Sequence, residues 1–102
     1  MGKTAIIKSL AKCIGNVVLH KIVLRHTNMP ESFKHLQGEI RDYTSDAFEK
    51  SQLYTWTNEE KEEIKAKSKI RVKNSLERYL DVSCDESEID SFLTETIDEM
   101  SL

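Results

Sequence analysis

The sequence is poor in the residues that interrupt helices. It holds one proline and three glycines in 102 residues, too few turn formers for the many short strands of an all-β sandwich or barrel. Cysteine is scarce too. Cys13 and Cys84 can form at most one bridge, and in a chain with no sign of export both are expected as reduced thiols. No secretory hydrophobic region precedes a cleavage-like site, and no apolar stretch approaches the ~20 residues that a membrane span needs. The expectation is a cytoplasmic protein with no membrane segment. The opening "MGKTAI" fails as a myristoylation signal because Ile6 stands where Ser or Thr is required. The same "GKT" lacks the upstream glycine and strand of a phosphate-binding loop. HExxH, GxSxG and glycine-rich loops are missing as well, so no catalytic residue is assigned.

What is present suits helices. Hydrophobic residues make up 38% and charged residues 32% of the chain, enough for one core in a single domain covering residues 1–102. The fold class is all-α: a small up-down bundle of four helices at about residues 3–27, 30–54, 58–80 and 86–100, with short connections favouring antiparallel neighbours. The second helix is the plainest. Met29, Phe33, Leu36, Ile40, Tyr43, Ala47 and Tyr54 follow the four-three spacing of one buried seam, and Pro30 fits a first turn, where its missing N–H does no harm. Asn28 is expected to stop the helix before it. Thr57 and Glu60 have the spacing of a capping box, which starts the third helix. Its apolar face is strong only late, at Val72, Leu76, Tyr79 and Leu80. The fourth opens on acids and carries Ile89, Phe92, Leu93, Ile97 and Met100 on one side.

The first helix is different, because "VVLHKIVL" is apolar nearly all round. Such a segment is central in its fold or shared with a second subunit, and Val18, Leu19, Ile22 and Val23 are the expected contacts of a homo-oligomer. Its β-branched residues and the "GN" at 15 and 16 allow a rival, a helix followed by a strand.

Charge is unevenly placed although the net is only -3. Residues 1–27 carry Lys3, Lys8, Lys12, Lys21 and Arg25 and no acidic side chain, while from residue 79 onward every charge is negative. Between them lies "KAKSKIRVKN" at 65–74, with a cation at every second position from Lys65 to Lys73. Read as a strand this is one cationic face. Read as a helix it splits into two rows on opposite sides: Lys61, Lys65, Lys69 and Lys73, near the apolar seam, and Lys67, Arg71 and Arg78. The helical reading is preferred, and it leaves the second row, with Lys8 and Lys12, as candidate contacts for nucleic acid or an acidic partner. The acidic fourth helix, 86–100, could also fold back antiparallel to the third, over Lys65 through Lys73, and cancel the charge of the segment.

Other constellations are weaker. His20, His26, His35 and Cys13 lack the three- or four-residue spacing of helical zinc ligands; His26 is expected to cap a helix end, His35 to be exposed and His20 to lie at the core margin. Asp81, Ser83 and Asp85 have calcium-loop spacing, but Glu86 replaces the required glycine and Phe92 the bidentate Glu. No metal and no cofactor are expected. Trp56 could stack on a base, though a Trp at a helix junction usually closes the end of a core. Taken together, the expected function is a non-enzymatic helical protein–protein interaction module or homo-oligomer. The alternative is a nucleic-acid-binding domain, against which a pI near 5.6 argues. An enzyme whose site is not visible in sequence comes third.

Overall fold

The first helix must hide apolar side chains in every direction, and three other helices gather round it to do so. The computed structural model describes residues 2–26, 30–78 and 84–100, with the backbone alone at 30–33. Four helices are present: α1 (Lys3–His26), α2 (Pro30–Ser51), α3 (Asn58–Leu76) and α4 (Glu86–Glu99). Among the described residues there is no strand. α1 runs unbroken through Gly15, so residues 16–26 are helix, and "KAKSKIRVKN" lies within α3. The modest helix preference of Val and Ile is outweighed by burial. Leu10, Ile14, Val17, Val18 and Ile22 are all fully enclosed, and each contributes roughly 1.5–3 kcal/mol.

Side-chain contacts fix the helix directions. Lys3 meets Glu60, Ser68 meets Ala11, and Arg71 meets Asn16, so α1 and α3 run parallel. Cys13 lies near Asp46 and Lys50 of α2 while His20 meets Glu39, and Lys21 and His26 meet Glu99 and Glu88 on α4, so α2 and α4 run antiparallel to α1. The order is up-down-up-down, but the helices do not form a square. α1 packs on all three others and α4 also packs on α3, whereas α2 packs on α1 alone.

Small side chains bring the two parallel helices together. Ala11 and Gly15, one turn apart on α1, face α3 where Ser68 is wholly buried. The Ser68 hydroxyl donates to Ile64 O at 2.7 Å and lies 3.3 Å from Ala11 O of α1. A Cβ on Gly15 would stand 3.2 Å from Cβ of Arg71 and 3.1 Å from its Cδ.

The element ends have local causes. Thr57 and Glu60 make the reciprocal capping box, with Glu60 N–H donating to Thr57 Oγ1 at 3.1 Å and Thr57 N–H to Glu60 Oε1 at 2.9 Å. α2 stops at Ser51, short of Tyr54, because Trp56 Nε1 donates to Ser51 O at 2.9 Å and occupies the carbonyl that another turn would need. The buried Trp56 ring packs edge-on to Tyr54, with the Lys3 ammonium over both. It therefore closes the bundle end and offers no face for stacking on a base. α3 ends at Leu76 rather than Leu80; Asn28, Met29, the Phe33 side chain, Tyr79, Leu80, Asp81 and Ser83, used in the sequence reading, lie outside the described residues.

Gly15→Ala provides a test of the close approach. Helix propensity alone would stabilise the variant by about 1 kcal/mol. Arg71 Cβ is fixed to the α3 backbone and cannot swing away, so overpacking of about 1–3 kcal/mol should win. Urea unfolding is expected to show a lower midpoint for the variant; a higher one would mean the helices are not in tight contact.

Candidate functional site: an open basic trough

Two parallel helices in contact leave a trough on each side of their line of contact, and among the described residues only one is filled. On the filled side lies α4, with Ile89, Leu93 and Met100 buried and carboxylates reaching to both neighbours. Glu86 pairs with Lys69 at 2.8 Å and Lys73 at 3.0 Å, and Asp90 with Lys69 at 2.9 Å. Toward α1, Lys21 Nζ donates to Thr96 Oγ1 at 3.1 Å and Glu99 Oε1 at 3.0 Å, and Glu88 takes His26 at 3.0 Å. His26 thus reaches across to α4 instead of capping its own helix. The acidic helix neutralises the Lys69 and Lys73 row.

The opposite trough is open. About 520 Å³ in volume, it is lined from α1 by Ala5, Lys8, Ser9, Ala11 and Lys12 and from α3 by Lys67, Ile70 and Arg71. Sharing Lys67, Ile70 and Arg71, it continues along α3 past Asn74 and Ser75 to Arg78. All five cations singled out in the sequence, Lys8, Lys12, Lys67, Arg71 and Arg78, therefore fall on one surface. Among the described residues only one of them meets a carboxylate, Lys67 with Glu63 at 3.6 Å one turn away. Such an exposed pair is weak. Arg71 is oriented by its Nε–H, which donates to Asn16 Oδ1 at 3.1 Å, and its stem crosses α1 over Gly15. Ile70 is 59% exposed, a large aliphatic left in water beside these cations.

The residues expected at an oligomer contact are placed otherwise. Val18 and Ile22 have no exposed surface, Leu19 is 8% exposed, and only Val23 is half-buried. The apolar first helix is covered by its own chain, which corrects the assignment of Val18, Leu19 and Ile22 to a second copy.

The histidines and cysteines among the described residues have local partners. His20 Nδ1 donates to Asn16 O at 2.6 Å and its other nitrogen meets Glu39, which also takes His35 at 3.0 Å. These contacts tie α1 to α2. Burial raises the Cys13 thiol above its ordinary value, with Asp46 adding to the effect and Lys50, Lys12 and Arg71 opposing it. Cys84 is pushed up to about 11, first by burial and then by its hydrogen bond to Glu88, so neither thiol is activated as a nucleophile. Among the described residues no three His, Cys, Asp or Glu side chains converge to hold a metal ion, and no helix is long and apolar enough to cross a membrane.

Ile70, Ala5 and Ser9 were not singled out in the sequence. A signal existed for Ile70, which lies nearly opposite the buried Ser68 and Val72 on the α3 wheel. Ala5 and Ser9 carry none. Comparison of the chain with protein-family models, curated proteins and solved structures finds no match.

The attachment of α4 has a pH signature. Hydrogen bonds from Lys69 and Lys73 hold the Glu86 carboxyl at about 2, below its ordinary 4.5. A depressed carboxyl contributes stability that is full above the ordinary value and is lost as pH falls through the folded one. The Glu86 carboxyl resonance should titrate near 2 and α4 should loosen between pH 4.5 and 2, with both effects absent after replacement of Lys69 and Lys73 by Met. A Glu86 midpoint in the ordinary range would show that the pairs do not form in solution.

Proposed function

We propose that this chain is a small non-enzymatic helical module that docks on another protein through the open trough between α1 and α3. The observation that carries the reading is the combination on one surface of exposed Ile70 with Lys8, Lys12, Arg71 and Arg78, none of which meets a carboxylate among the described residues. An exposed aliphatic beside a cationic rim gains from a partner that supplies both apolar area and negative charge. Self-association through α1 is not part of the proposal, since Val18 and Ile22 are enclosed.

The same cations support a second reading, binding of a nucleic acid backbone. Phosphates would use the rim but gain nothing from Ile70, and among the described residues no aromatic ring lines the trough for stacking. The overall charge of -3 also opposes approach of a polyanion. The protein partner is therefore preferred.

Selection from a displayed peptide library against the wild-type chain, with Ile70→Glu as counter-target, tests the proposal. Peptides that bind the wild type and lose about tenfold or more on Ile70→Glu or Arg71→Glu are expected. Failure to select any trough-dependent peptide would contradict it. Retention of generic RNA or duplex DNA at low salt, falling steeply as salt rises and weakened by Lys12→Glu, would favour the second reading instead.

A further inference from the structure

The chain contains its own template for what the open trough accepts. On one side of the α1–α3 pair the trough holds α4, an acidic amphipathic helix whose apolar face is buried while Glu86 and Asp90 reach Lys69 and Lys73 of α3 and Glu99 reaches Lys21 of α1. The trough on the other side is walled by the same two helices, with smaller side chains at its floor. Its walls carry cations one turn apart, Lys8 and Lys12 on α1 and Lys67 and Arg71 on α3, with Ile70 as the apolar contact. From Lys67 to Leu76 the α3 wall rises roughly 14 Å, the length of about two and a half helical turns, with Arg78 just beyond its end. It differs from the filled trough in having no acidic helix of this chain over it among the described residues.

We infer that the open trough binds an acidic amphipathic helix of a partner protein. The inference rests on the reading of the chain as an interaction module and names the occupant of the same site. The partner helix sets an apolar stripe against Ile70 and the small side chains of α1, while carboxylates on its two flanks meet the Lys8 and Lys12 rim and the Lys67 and Arg71 rim. Anchors at positions i, i+3, i+4 and i+7 are the recognised pattern for a helix in a groove. Charge on both rims fixes register and excludes basic helices.

The probe is a synthetic, fluorescently labelled 18-residue helix with one Leu stripe and Glu on both flanks. Controls are a scrambled peptide of identical composition, which keeps the charge and loses the stripe, and a single-stranded RNA. The patterned peptide is expected to bind the intact chain, to gain helicity on doing so, and to lose about tenfold in affinity on Ile70→Glu and again on Lys12→Glu. Both substitutions sit on exposed side chains, so the variants should fold, and unchanged far-ultraviolet circular dichroism verifies it. Equal binding of the scrambled peptide would overturn the inference, because attraction would then be charge alone. RNA binding in place of peptide binding would overturn it as well, as would no binding of the patterned peptide. If library selection still yields trough-dependent peptides that are extended or basic, the helical occupant is wrong and the module reading stands; if it yields none, both fall.

Discussion

Everything distinctive in this fold follows from the side-by-side contact of two parallel helices at Ala11, Gly15, Ser68 and Arg71. In a square four-helix bundle the first and third helices lie on a diagonal, kept apart by large core side chains. Here the facing positions are small, and Ser68 shares its hydroxyl between Ile64 O and Ala11 O. The diagonal closes. α4 lies on one side of this pair and touches both of its helices, whereas among the described residues α2 packs on α1 away from α3. The trough it leaves uncovered is the candidate site.

The distribution of charge completes that arrangement. The α3 cations form two rows, and the chain treats them oppositely. Glu86 and Asp90 cover Lys69 and Lys73, while Lys67, Arg71 and Arg78 face outward with Lys8 and Lys12. Individually the exposed pairs are worth little. The buried face of α4, with Ile89, Leu93 and Met100, seats it on one side of the α1–α3 pair, and its carboxylates oppose the row that they meet there. A net charge of -3 thus coexists with a strongly basic surface.

Features encoded within one or two turns were legible in the sequence. The capping box at Thr57 and Glu60, the start of α2 at Pro30 and the division of "KAKSKIRVKN" into two rows depend only on spacing along one helix, and the structure has all three. Features that join distant segments were not. Ser68 reads as a polar gap between Ile64 and Val72, so the early half of α3 looked weakly apolar, yet all three side chains are fully buried. Gly15 looked like a place where a helix could break; its function is to make room for Arg71, 56 positions away in the chain (71 minus 15). The all-round apolar pattern of α1 states that cover is needed and is silent on whether the same chain supplies it. That is why Val18, Leu19 and Ile22 were assigned to a second subunit.

If α1 is the hub and α2 is held chiefly by it, stability should be unequal across the molecule. Native-state amide hydrogen exchange measures this residue by residue. The amides of Ile14, Val17 and Val18 in α1 and of Ser68 and Val72 in α3 should exchange only through global unfolding, while those of Ile40 and Tyr43 in α2 exchange through a smaller opening at lower free energy. Protection of α2 equal to that of α1, with both lost together, would contradict the hub and with it the reason for an open trough.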